Sequence, residues 1–241
     1  MSFFELNDFF EFFTFSHKKI FFVIKNIWDA LSNIEKYLEK FKFKKSDIKI
    51  PANCFIDNPD KVFIGKNTTI EPNTYIKGPC IIGENCQIRA NAYIRENVIT
   101  GNGCIIGHAT EIKNSILLND ASAAHFAYIG DSIIGNRVNI GAGVKLANFR
   151  LDKKNIRFYM DGKKIDTNLN KLGSIIADDC QIGCNSVLNP ATFLKKNVKC
   201  LPSLNIGGYF LKNSLITKST PFINKKSRLK DIKNELKTTL D

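Results

Sequence analysis

Residues 64–112 read IGKNTTIEPNTYIKGPCIIGENCQIRANAYIRENVITGNGCIIGHATEI, and one residue class returns in this stretch at every sixth place. The series is Ile64, Ile70, Ile76, Ile82, Ile88, Ile94, Thr100, Ile106 and Ile112. Two places before its members stand small side chains: Thr68, Thr74, Cys80, Cys86, Ala92, Val98, Cys104 and Thr110. Gly65, Gly83, Gly101 and Gly107 directly follow four of them. A six-residue period fits neither the 3.6-residue helix nor plain strand alternation. It is the hexapeptide signature of a parallel β-helix, a prism whose short faces each turn one aliphatic and one small residue inward. Successive coils lie about 4.8 Å apart and pair through main-chain hydrogen bonds, so no coil is stable without its neighbours. The period returns at Ile134, Ile140 and Leu146, and again from Ile176 through Ile182, Leu188, Leu194 and Cys200 to Ile206.

Two departures from the period mark loops. Ile112 and Ile134 are twenty-two residues apart, not a multiple of six, which predicts an insertion near 119–128 carrying His125. Leu146 and Ile176 are thirty apart, yet 150–172 does not follow the pattern and reads as a loop holding a hairpin, with Asp161-Gly162 as its turn. Loops ejected from a rigid scaffold are where sites are usually built. The small slot also accounts for Cys54, Cys80, Cys86, Cys104 and Cys180, which read as buried small hydrophobes, with Cys200 in an aliphatic slot and Cys184 unexplained.

Outward from the repeat, residues 1–49 read as a helical region. Ile24, Ile27, Trp28, Leu31, Ile34 and Leu38 share one face, and eleven of the nineteen Phe lie before Phe55. These Phe are expected to pack on the β-helix or on a second subunit rather than on a membrane surface. The β-helix domain spans 50–210. Residues 211–241 read as a basic helical tail in which Leu229, Ile232, Leu236 and Leu240 make one face of a closing cap.

The chain has 241 residues and a formal net charge of +12. No recognition-helix, RNP-type or zinc-finger signature accompanies that charge, so nucleic acid is not expected. There is no signal-peptide pattern and no run of about eighteen apolar residues, so no membrane span is expected. The seven Cys lack metal-type spacing and suit a reducing cytoplasm.

Within this frame Tyr93-Ile94-Arg95, GHATEIK (107–113), AHFAYIGD (124–131), VNIGAG (138–143) and Ala147-Asn148-Phe149 occur in order. Together they resemble the acetyltransferase domain of the bifunctional N-acetylglucosamine-1-phosphate uridyltransferases, closely over about 90–155 and loosely over 50–208. The resemblance implies a left-handed parallel β-helix, a homotrimer with sites between neighbouring prisms, and acetyl-CoA as donor. It implies His125 as general base on the acceptor amine, with Arg95, Lys113 and Tyr128 at the sugar phosphate and Asn139 positioning sugar and imidazole. It places Asn148, Ala142, Cys184 and Pro202 toward the donor, and Lys154 (or Lys153) at the family's lysine after the Asn. The chain departs from the family at Phe149, where a Tyr is usual, in its longer 150–172 loop, and at Cys184 and Pro202, where small residues are usual. No LxGGxGTRM-type nucleotide loop precedes residue 90, so a stand-alone sugar acyltransferase is expected.

The residues support that chemistry on their own terms. Acyl transfer from a thioester needs a positioned acceptor, one proton removed and an oxyanion met by donors, with no metal. A single imidazole suits the proton step. The N–H groups of the Gly141-Ala142-Gly143 corner are the expected oxyanion donors. A guanidinium and an ammonium suit a phosphate-bearing acceptor such as glucosamine 1-phosphate or a nucleotide sugar. Two alternatives stay open: transfer of a longer acyl chain from an acyl carrier protein to a UDP-sugar, and a β-helix serving only as a binding or assembly module.

Overall fold

The computed structural model describes residues 5–220 apart from 23, 45 and 161. It is a parallel β-solenoid of three eight-stranded sheets, with a separate two-stranded hairpin. Face A stacks Ile56, Ile76, Ile94, Ile112, Ile129, Leu146, Leu188 and Ile206 in register. On face B, Ile64 pairs with Ile82, Thr100 with Leu117 and Leu117 with Ile134, and the column continues through Ile176 and Leu194 to Phe210. Face C stacks Ile70, Ile88, Ile106, Ala123, Ile140, Ile182, Cys200 and Ile216. Their inward side chains form one continuous core. The hexad reading is therefore correct, and the ladder runs past the boundary expected at 210 to Leu215–Ile216. The proposed cap helix at Leu229–Leu240 lies outside the described residues.

The corners show why the sequence is rich in Asn and Gly. Asn67, Asn73, Asn85, Asn91, Asn97, Asn185, Asn197 and Asn213 have φ between 56° and 62°. Asn tolerates this left-handed conformation better than most side chains, because its short amide hydrogen-bonds locally. The glycine after the aliphatic has another cause. A Cβ on Gly107 would stand 1.7 Å from the Ala124 carbonyl oxygen, and one on Gly141 2.5 Å from that of Ile182. The next coil occupies the space a side chain would need.

The insertion expected near 119–128 does not exist. Ile112 to Leu117 and Ile129 to Ile134 are faces of five residues, while Leu117, Ala123 and Ile129 keep the six-residue step. Each short face lacks one residue, and Ala123 sits where an aliphatic was sought, which hid the period. His125 ends the strand Ser122–His125. The 150–172 excursion is real: the chain leaves after Leu146, pairs Arg157–Met160 with Lys163–Asp166, and returns at Ser174–Ile176.

Face B is apolar on both sides. Its outward residues Ile81, Ile99, Ile116, Ile133, Ile175 and Phe193 are fully buried under the N-terminal segment and the hairpin. Phe158 lies 4.7 Å and Trp28 6.0 Å from Phe193, centroid to centroid. Phe9, Phe10, Phe15 and Phe21 of the aromatic start are thus buried on the chain's own solenoid, as expected, whereas Phe13 and Phe22 are exposed. The start is not one continuous helix, however. Four short pieces, Leu6–Phe9, Lys18–Phe21, Asp29–Ser32 and Ile34–Glu39, follow the stripe, and none has a side-chain cap. Burial of Ile27, Trp28, Leu31, Ile34 and Leu38 places this segment, with little helix propagation behind it. Asp178 fastens it: its N–H donates to the Phe9 carbonyl at 3.0 Å, and its carboxylate accepts the Glu11 N–H at 2.7 Å.

Candidate active site

Four expected residues share one edge of the prism. Ser122 pairs with Asn139, Asn139 with Gln181 and Gln181 with Lys199. Three places further along each coil stand His125, Ala142, Cys184 and Pro202, one above another between faces C and A. Main-chain bonds tie this column: Gly143 N–H to the His125 carbonyl (3.2 Å), Asn185 N–H to Ala142 (2.8 Å) and Ser203 N–H to Cys184 (2.8 Å). His108 pairs with His125 one coil earlier, and its Nδ1 lies 2.9 Å from the Ala90 carbonyl oxygen. Strand pairing, not an excursion, presents the His125 imidazole, which is exposed beside Phe126 (ring centroids 5.8 Å). Above it, Ala142 and the exposed Cys184 and Pro202 leave the corner free of long side chains.

A second group lies on face A. Tyr93, Glu111, Tyr128 and Lys145 form one outward row in register, and Arg95 and Lys113 follow the aliphatics of adjacent coils. Neither cation is unpartnered. Arg95 donates to Glu111 at 3.0 Å, a bond that raises its pKa. Lys113 meets Asp131 at 2.9 Å, with both side chains largely buried (13% and 5% exposed). Asn148 donates to the same carboxylate and, at 3.3 Å, to the Tyr128 hydroxyl. Gly130 makes room for this fold-over, since a Cβ there would come within 2.6 Å of the Asn148 Nδ2 and 2.7 Å of the Tyr128 oxygen.

The structure therefore gathers His125, Ala142, Cys184 and Pro202 at one edge. It gathers Arg95 and Lys113, with Tyr128 and Asn148, on the adjoining face. Asn139 is exposed on face C, in the coil after His125. Lys154 is exposed in the excursion, behind the Arg150–Asp152 ion pair, and is not brought to either group. The oxyanion expectation fails for two of its donors: Gly141 N–H is taken by the Ile182 carbonyl at 2.9 Å and Gly143 N–H by His125. Glu111, Asn114 and Asp131 were missed as members of the site. The GHATEIK and AHFAYIGD motifs contain two of them, but only coordinates reveal whom they meet. Cys80, Cys86, Cys104 and Cys180 are buried as expected and Cys54 is half-buried; burial pushes Cys80 and Cys180 up to about 12, whereas the hydrogen bond with Cys104 lowers the Cys86 thiol. Two clefts of about 470 and 450 Å³ line the N-terminal segment, and neither includes an expected site residue.

Comparison with known proteins bears on this arrangement. Residues 76–158 match the family model of the GMPPB C-terminal domain. The bifunctional sugar-1-phosphate nucleotidylyltransferase/acetyltransferase of Sulfurisphaera tokodaii is 35% identical over 182 residues, covering 76% of this chain and 42% of that protein. The chain thus spans under half of that relative's length. A putative uncharacterized acetyltransferase of Escherichia coli, YaiX, is 34% identical over 190 residues, covering 76% of this chain and 82% of its own length. Among solved structures, the Francisella novicida UDP-N-acetylglucosamine acyltransferase aligns with a TM-score of 0.51 at 18% identity, over 74% of this chain and 65% of that one, a likeness of fold alone. No helix among the described residues is long and apolar enough to cross a membrane.

Proposed function

The chain belongs to the hexapeptide-repeat β-helix acetyltransferases, related to the C-terminal domains of bifunctional nucleotidyltransferase–acetyltransferases, and from that premise we propose that it moves an acetyl group from acetyl-CoA to the amine of a sugar phosphate or nucleotide sugar. Glucosamine 1-phosphate is the first acceptor to test. The observation that carries this reading is the edge column. Two exposed imidazoles, His108 and His125, stand in successive coils at its head, and the coils above offer a lane without bulky side chains in which a thioester arm fits.

In this reading His125 takes a proton from the acceptor amine as its nitrogen attacks the thioester carbonyl. The carbon–sulfur bond breaks and the thiolate leaves, to be protonated as free CoA. Such a base contributes about 10²–10⁴-fold. Arg95 and Lys113 meet the acceptor's phosphate, Tyr128 and Asn139 orient the sugar, and Asn148, Ala142, Cys184 and Pro202 border the donor. Lys154 reaches the site only if the excursion folds toward the edge. The column lies on an open edge of the prism, which fits a homotrimer whose neighbouring prism supplies the other wall. A cytoplasmic setting goes with these substrates.

The test is His125→Ala, with CoA release followed for glucosamine 1-phosphate and amino-sugar nucleotides. Loss of turnover with an unchanged melting curve supports the reading. Equal turnover removes His125 from the chemistry, and no turnover by the unaltered protein with any acceptor favours a binding module. Cys184 and Pro202 in the donor lane, with the net charge of +12, favour a second reading, transfer of a longer acyl chain from an acidic acyl carrier protein to a UDP-sugar. Running acetyl-CoA against acyl-carrier donors separates the two.

A further inference from the structure

The carboxylate of Asp131 has no role in the reading above, yet it stands where that reading's acceptor-side Lys113 and donor-side Asn148 converge. Its Oδ2 accepts from Lys113 at 2.9 Å and from Asn148, and its Oδ1 accepts from the Asn114 amide at 2.9 Å. Asn148 in turn reaches the Tyr128 hydroxyl. The residue is only 4% exposed. A buried carboxylate in this position is held by its partners, and it fixes them in return.

The backbone does not require the charge. Asp131 has φ +48°, a left-handed corner. Asn97 and Asn114, which follow Arg95 and Lys113 in the preceding coils, hold the same conformation with neutral amides (φ +62° and +41°). The chain thus places a carboxylate rather than an amide where Lys113 and Asn148 meet. Main-chain bonds, Asp131 N–H to the Lys113 carbonyl at 3.1 Å and Gly173 N–H to the Asp131 carbonyl at 2.8 Å, would hold the corner with either side chain.

We propose that Asp131 is a positioning residue, which pins the Lys113 ammonium and the Asn148 amide into one unit and thereby fixes where the acceptor's anionic group is met. The acceptor clause rests on the proposed function, whereas the pinning of Lys113 does not. A flexible ammonium loses freedom each time it grips a ligand, and one already held has little left to lose.

The experiment uses Asp131→Asn, which suits the left-handed corner and keeps an amide of the same shape. Isotope-coded reductive methylation, read by mass spectrometry, gives the reactivity of Lys113 against exposed Lys145 in the same molecule. Lys113 is expected to label about tenfold faster in the variant, the scale of one lost charge-assisted hydrogen bond, with Lys145 unchanged. Unchanged labelling of Lys113 overturns the proposal whether or not any activity is found. With an acceptor in hand, Asp131→Asn is expected to raise its KM about tenfold by the same reasoning, leaving kcat nearly as before. On a Lys113→Met background the same change is expected to do nothing further to acceptor KM. An equal penalty on both backgrounds means that Asp131 only supports the fold, and overturns the proposal. Faster labelling with no transfer from any donor leaves the pinning standing and defeats the proposed function instead.

Discussion

Acid will loosen the N-terminal segment through His17. The imidazole is packed edge-on against Phe15, Tyr37 and Phe41, with centroids 5.7, 5.8 and 6.0 Å away, and its Nδ1 lies 2.9 Å from the Tyr37 hydroxyl. Burial lowers its pKa from 6.5 to about 4. The folded protein therefore keeps the ring neutral over a range in which the unfolded chain protonates it. The stabilisation is complete above pH 6.5 and is lost as pH falls through 4. The shift converts to about 2 kcal/mol lost by pH 5 and about 3 kcal/mol by pH 4. Attraction between an imidazolium and the three rings opposes this with about 0.5–2 kcal/mol, so about 2 kcal/mol is the upper bound on the loss at pH 5. Burial holds the Asp178 carboxyl above its usual range, an effect of opposite sign that gains stability on acidification. His17→Gln keeps a partner for Tyr37 and does not titrate, so Asp178 cancels in the comparison. Urea unfolding at pH 7 and pH 5 will show a pH-dependent loss about 1–2 kcal/mol smaller in the variant. Identical losses in the two proteins would refute the assignment.

Other outcomes follow from the same geometry. Phe193→Ala removes a fully buried ring between Trp28 and Phe158 and will cost about 3–5 kcal/mol in urea unfolding; a loss below about 1 kcal/mol would mean that face B is not sealed as described. Gly107→Ala drives a Cβ onto the Ala124 carbonyl and will destabilise by about 3 kcal/mol, measured by the same unfolding curves. His125→Ala will lower acetyl transfer by about 10²–10⁴-fold in initial-rate assays while leaving the melting temperature in place. Cys184 is the one exposed cysteine among the described residues, so a thiol reagent will modify it first, and acetyl-CoA will slow that modification if the donor lies along the edge column.

Much of this was legible in the residues. The six-residue period gave the solenoid because stacking admits few side chains at the inward slots, and the Asp-Gly turn gave the hairpin. The His125 column was within reach too, since motif spacing carries coil position. What stayed hidden was hidden for physical reasons. Ala123 in an aliphatic slot disguised two short faces as an insertion. The doublets Ile81-Ile82, Ile133-Ile134 and Ile175-Ile176 announce a sheet buried on both sides, but a reading tuned to the inward residue passes over the outward one. The broken N-terminal helices follow the stripe they cover, which local propensity does not encode. The Asp131 network joins residues of neighbouring coils seventeen or eighteen places apart in the chain, a distance at which a sequence shows who is present and not who is paired.

The coil ladder also acts as a ruler. Arg95, Lys113 and His125 belong to consecutive rungs, and Ala142, Cys184 and Pro202 to the rungs after. A whole extra turn spliced in before Ile88 would lengthen the column and leave every one of these spacings alone. The same splice between Lys113 and His125 would push imidazole and ammonium apart by one rung, about 4.8 Å, which in the proposed function separates the base from the acceptor it serves. Growth and shrinkage of the molecule are thus cheap at its ends, while the proposed function forbids them across a span of a few rungs.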